Sequence, residues 1–197
     1  MLFANLAGTM RRSALVGVLP FLAFAATFTS SKKVHAEPVI AIDLDLGTAF
    51  RRRVDFSYGL GGRFGYKFRF PLTSFWLQPE GGLHYMSFGS DNALGYYNEA
   101  GTLNGGLRLG FGRIVQPFAF AHLGLGFVGN SRLGPATDIG GGLDFQITRV
   151  FSLGAQIAYN SVTITEYGDA AKWVSFGLNF GFHLGGTGRA SRTRSGE

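Results

Sequence analysis

From residue 37 onward, apolar residues alternate one for one with small or polar ones, and no stretch keeps the i, i+3, i+4, i+7 spacing of a helix. The longest run is "VDFSYGLGGRFGYKFRF". Val54, Phe56, Tyr58, Leu60, Phe64, Tyr66 and Phe68 share one face; Asp55, Ser57, Gly59, Gly61, Arg63, Gly65, Lys67 and Arg69 share the other. Eight such segments, separated by turn-forming clusters, predict eight strands. The first, "VIAIDLDLGTAF", opposes Ile40, Ile42, Leu44 and Leu46 to Ala41, Asp43, Asp45 and Gly47, and "FWLQPEGGLHYMSF" opposes Leu77, Leu83 and Tyr85 to Gln78, Glu80, Gly82 and His84. The remaining five are "AGTLNGGLRLGF", "PFAFAHLGLGF", "DIGGGLDFQI", "FSLGAQIAYN" and the closing "SFGLNFGF". In the fifth segment, Phe118 and Phe120 fall on the otherwise polar face, so its first half leaves the two faces poorly distinguished. Each segment has the roughly ten residues that a tilted strand needs to cross a bilayer. The pattern predicts an all-β protein, an eight-stranded antiparallel up-and-down transmembrane β-barrel over residues 37–184.

The connections alternate in length. "FPLTS", "GRIVQ" and "TRV" are short, whereas "GSDNALG", "GNSRLGPATD" and "SVTITEYGDAA" are longer and fall, with "RRR", at the opposite end. That asymmetry places the short turns and both termini on the periplasmic side.

Alternation alone leaves open a soluble, lipocalin-like barrel with its apolar face inward. Three features argue for the apolar face outward. The polar face is mostly Gly, Ser and Asn, too poor in charge for a soluble surface but suited to a narrow interior. Aromatics collect at strand ends, with Phe68, Phe111, Phe145, Phe151 and Phe182 near one rim and Phe56, Tyr58, Tyr85, Tyr97, Phe127 and Tyr159 near the other. The charges Asp43, Asp45, Arg63, Lys67, Glu80, Arg108 and Asp144 are of both signs, so facing one another inside they form an interior charge network.

The first 36 residues carry Arg11 and Arg12 before the apolar run "SALVGVLPFLAFAATF" and then "VHA", the form of a signal peptide cleaved after Ala36. The run is shorter than the roughly 20 residues of a spanning helix. Cleavage removes Arg11, Arg12, Lys32 and Lys33, so the 18 basic residues fall to 14 against 12 acidic ones. A net charge of +2 removes the case for nucleic-acid binding that the high isoelectric point suggests. The chain has no Cys, hence neither disulfides nor a lipidated N-terminal Cys.

The stretches "QPFAFAHLGLGF" and "ITRVFSLGAQIAY" resemble eight-stranded outer-membrane β-barrel proteins of the outer-membrane protein A, outer-membrane protein X and opacity type, over about residues 38–184. The closing segment is similar to that group's C-terminal signal for the barrel assembly machinery, with Ser175, Gly177, Phe180 and Phe182 in its places. Members ending at the barrel finish on the aromatic, whereas here a basic tail, residues 185–197, follows and is expected to be a disordered periplasmic segment. The resemblance implies a cell outer membrane location, with outer-membrane lipid, lipopolysaccharide and the assembly machinery as partners, and host or surface ligands at the loops.

Little chemistry of catalysis is visible. His84, His122 and His183 all fall on the polar face, no His-Ser pair is adjacent in sequence, and no His, Cys or carboxylate cluster has metal spacing. The runs "GLGG" and "GGGLD" lie inside strands with no following helix, so they are not phosphate loops. No cofactor is expected. Arg51, Arg52 and Arg53 stand where the first strand emerges, placed for the phosphates of lipopolysaccharide. The expected role is structural, envelope-maintaining or surface-binding and non-enzymatic, with a largely plugged interior; the alternatives are a low-conductance channel and a lipid-modifying enzyme.

Overall fold

The computed structural model describes residues 35–49, 56–70, 73–89, 98–129, 132–164 and 169–185. The expected signal peptide up to residue 34, Arg51–Arg53, Tyr97 and the tail beyond residue 185 lie outside them. Eight strands follow in order: β1 His35–Ala49, β2 Phe56–Arg69, β3 Phe75–Phe88, β4 Glu99–Phe111, β5 Val115–Val128, β6 Arg132–Gln146, β7 Phe151–Ile164 and β8 Asp169–His183. Each pairs antiparallel with its sequence neighbour, and β8 returns to β1 from Val39↔His183 to Ala49↔Trp173, closing the barrel. Closure satisfies every strand edge, which an open sheet of this composition would leave exposed.

Side-chain parity follows the sequence pattern. Leu44, Leu60, Leu83, Leu103, Leu123, Ile139, Ile157 and Leu178, one from each strand, point outward at mid-height and are 47–71% exposed. So continuous an apolar girdle greatly exceeds the exposed patch of an ordinary soluble monomer. The inward positions are small or polar: Gly61, Gly65, Thr102, Gly142, Ser152, Ser175 and Asn179 among them. Phe118 and Phe120 do point inward, where the Arg108 guanidinium lies 4.2 Å and 5.2 Å from their ring centroids. Outward aromatics gather at both ends: Phe75 opposite Phe111 and Phe151 opposite Phe182 toward the turns, Phe56, Tyr58 and Tyr85 toward the loops.

The connections correct one expectation. At the loop end the segments outside strands are 50–55, 89–98, 129–131 and 165–168; at the turn end they are 70–74, 112–114 and 147–150. Only the second of the loop-end segments is long. β6 begins at Arg132, so most of "RLGPATD" is strand: Leu133, Pro135 and Thr137 face outward and Gly134 and Ala136 inward. Small residues and a proline hide the alternation there, and the backbone still pairs from Val128↔Arg132 onward. Likewise β7 runs to Ile164 and β8 starts at Asp169, absorbing most of "SVTITEYGDAA".

The filled lumen as the candidate functional site

The inward side chains form three layers. At mid-height, Arg63 of β2 donates from Nε and Nη2 to Asp43 of β1 at 2.6 and 2.8 Å, and from Nη1 to Glu80 of β3 at 3.0 Å. Arg108 of β4 donates to the other Glu80 oxygen at 3.0 Å and lies 4.0 Å from Asp144 of β6. His122 bridges Glu80 at 3.0 Å and Asp138 at 2.6 Å, and Gln78 donates to Glu80 at 2.6 Å. Glu80 is therefore the hub. It sits between two guanidinium groups, with its side chain about 1% exposed. A buried carboxylate this deep is tolerated because both its oxygens accept from charged or amide donors: Arg63, Arg108 and Gln78.

Of the seven charges singled out from sequence, Asp43, Arg63, Glu80, Arg108 and Asp144 meet in this layer. Asp45 lies just above it and bonds His84 at 2.7 Å. Lys67 stands apart, donating to Gln116 at 2.6 Å with Nζ 4.0 Å from the centre of the Trp76 ring. Gln78, His122 and Gln156, which the alternation places on the polar face, join the layer too, Gln156 accepting from Arg108 at 3.3 Å, together with Asp138 from the stretch expected to be loop. Their pairing depends on the barrel's curvature bringing β3, β5, β6 and β7 to one point. A cavity of about 50 Å³ opens above the ionic layer, among Asp45, His84, Asn104, Asp138, Asn160 and Ser175.

Toward the loops the inward positions turn apolar. Met86, Phe88, Val128, Val162 and Trp173 are nearly or fully buried, with Ala100, Ala136, Ile164 and Ala171 around them, and Phe88 meets Trp173 edge to face at 5.9 Å. This lid went unread in the sequence. Its signal was there: the inward parity of β3, β5, β7 and β8, carried to the strand ends, lands on Met86, Phe88, Val128, Val162 and Trp173.

The turn-end layer contains a row that sequence adjacency hides. Ser152 Oγ lies 3.1 Å from His183 Nε2, and His183 Nδ1 lies 3.2 Å from Glu37 Oε1, which also accepts from Arg69 Nε at 3.1 Å. The row has the order of an acyl-transfer relay. It also spans β7, β8, β1 and β2 across the closing seam, and its three relay members are buried among strand backbones. Among the described residues no group of three or more His, Asp or Glu has metal-holding geometry.

Ser175, Gly177, Phe180 and Phe182 all lie in β8, on both its faces. Ser175 accepts from Asn160 at 3.2 Å, and a Cβ at Gly177 would meet the Asp45 carboxylate and make that side chain shift. Phe180 and Phe182 point outward opposite Ile42 and Ile40.

No family model matches the chain, and no curated protein matches it in sequence. Among solved structures it is similar to neisserial surface protein A, at TM-score 0.51 and 10% identity, over 77% of this chain and 99% of that one. It is also similar to the outer-membrane enzyme PagL, at TM-score 0.51 and 17% identity, over 72% of this chain and 98% of that one. At these identities the likeness is one of fold: the chain is an eight-stranded antiparallel β-barrel of the outer-membrane type.

Proposed function

We propose that this chain is an integral protein of the Gram-negative outer membrane that serves the envelope structurally, or binds at the surface through its loop end, without turnover and without a standing pore. The observation that carries this reading is a lumen crossed by two packed layers of side chains beneath an apolar exterior. The ionic layer around Glu80 blocks the middle, and the Met86–Phe88–Trp173 layer, buried to 2% exposure or less, blocks the loop end. An eight-stranded barrel has little more interior than its side chains occupy. The turn end then faces the periplasm, and residues 1–36 act as the cleaved export signal.

β8 closes the barrel on β1, and in this reading Ser175, Gly177, Phe180 and Phe182 present the final strand to the assembly machinery. Arg51–Arg53 carry the first outer segment toward lipopolysaccharide phosphate. A lipid-modifying activity is disfavoured at the Ser152–His183–Glu37 row: the three residues are 5%, 3% and 7% exposed, too enclosed for a substrate carbonyl to reach Ser152 Oγ. In planar bilayers the purified, folded protein is expected to give no steady conductance at any applied voltage. Reproducible unitary currents would overturn the closed lumen and favour the channel reading.

A further inference from the structure

Each of the three short turns carries an arginine followed by a large apolar residue: Arg69–Phe70, Arg113–Ile114 and Arg149–Val150. The first two turns also meet. Gly112 N donates to Ser74 O at 2.9 Å, and Gly112 holds φ at 102°, a left-handed conformation that a side chain would strain. Between the turns lies a recess of about 160 Å³ lined by Arg69, Arg113, Thr73, Ser74, Phe70 and Phe75. Phe70 and Phe75 stack across its base at 5.9 Å.

The electrostatics of this recess are one-sided. Arg69 shares Glu37 with His183, so that carboxylate only partly neutralises it. Arg113 is exposed and forms no ion pair among the described residues; its carbonyl accepts from Gln116 at 2.7 Å, which fixes the turn and leaves the guanidinium unengaged. Asp144 belongs to the mid-height layer inside the lumen, where it lies 4.0 Å from Arg108. Two arginines and two hydroxyl residues lining one recess supply a set of donors that matches the oxygens of a phosphate.

The surroundings choose among phosphate sources. Phe75, which lines the recess, and its register partner Phe111 face outward and are 42% and 60% exposed, so whatever enters from that side is apolar below its phosphate. Resting on the membrane reading above, we propose that this recess binds the phosphodiester of an anionic glycerophospholipid from the leaflet at the turn end, with its acyl chains lying along Phe75 and Phe111. The chemistry joins a basic interfacial pocket to an aromatic belt.

The test uses full-length mature protein folded in detergent micelles, with phosphatidylglycerol as the probe and retention read by native mass spectrometry. Arg113→Gln is expected to weaken retention about tenfold, the loss of one charge-assisted phosphate contact. Arg149→Gln, in the third turn and outside the recess, is expected to leave it unchanged. Equal losses in the two variants would overturn the site in favour of diffuse attraction at the rim, as would retention unaffected by Arg113→Gln. Displacement of the lipid by excess inorganic phosphate would assign the recess to free phosphate and overturn the lipid as its ligand. Heat-modifiability of each preparation is read alongside: loss of it in the parent protein would sink the membrane reading itself, whereas a folded parent indifferent to Arg113→Gln sinks only the recess.

Discussion

Glu80→Gln is expected to cost the folded barrel about 3–5 kcal/mol, read as a shift in urea unfolding from phosphatidylcholine vesicles. The substitution keeps the side chain's size and removes its charge. Arg63 retains Asp43 at 2.6 Å, but Arg108 keeps only Asp144 at 4.0 Å and the carbonyl of Gln156 at 3.3 Å. Two guanidinium groups then face each other across a neutral amide with no carboxylate between them. His122 also loses the negative charge of one of its two partners, keeping that of Asp138. The comparison is Glu99→Gln at the loop end, where the carboxylate accepts only from Tyr85 OH at 2.8 Å in an exposed position. That change is expected to cost less than about 1 kcal/mol. Equal, small effects at both positions would mean that the interior charges are solvated individually and that Glu80 is no hub.

Leu44→Arg tests the opposite face. Leu44 is outward at mid-height, opposite Leu60 on β2 and Leu178 on β8. In contact with hydrocarbon, an arginine there costs about 2–4 kcal/mol, a penalty that falls to about 0–1 near the interfaces. Lys172 is already outward and exposed at the loop end of β8, where the cost is low. Leu44→Arg is therefore expected to lower the yield of folded protein in the outer-membrane fraction several-fold and to move the urea midpoint down, whereas Lys172→Leu changes neither. A water-facing Leu44 would make the same arginine neutral or beneficial, and an unchanged midpoint would contradict a lipid-facing girdle.

The parity of strands was legible because a period of two allows only one assignment once a single face is known. Eight strands, their order and nearly every outward residue follow from that rule. Charges on the polar face could be placed inside for the same reason, since an Arg63 or Arg108 turned to lipid would be costly. Strand ends were harder. Pro135 and Gly134 look like a loop, yet they continue β6, because their pairing partners on β5, Leu125 and Gly126, supply the order that local propensity lacks.

The interior partners were legible only as a set: Arg63, Glu80, Arg108 and Asp144 could be placed together across the lumen, but not which atom meets which. Asp43 and Arg63 sit on neighbouring strands, and the register Asp43↔Gly61 leaves them diagonal to each other. His122 and Glu80, however, are 42 residues and two strands apart, joined only because the tight curvature of a small closed barrel brings the strands on either side of β4 within side-chain reach. The Ser152–His183–Glu37 row is the extreme case: Glu37 and His183 are 146 residues apart, and barrel closure alone makes them neighbours. A search for adjacent His and Ser in sequence could not find it. The apolar lid around Trp173 was missed for a different reason. Alternation was read as apolar-out and polar-in throughout, whereas near the loop end both faces are apolar.

Fractionation with a gel-shift readout addresses the central claim most directly. Cells expressing the full chain are separated into soluble and outer-membrane fractions, the membranes are washed with alkali, and samples are run with and without boiling. The protein is expected in the washed outer-membrane pellet, with the unboiled form migrating differently from the boiled one because the closed barrel survives detergent. Recovery in the soluble fraction, or a mobility indifferent to boiling, would contradict an integral outer-membrane barrel.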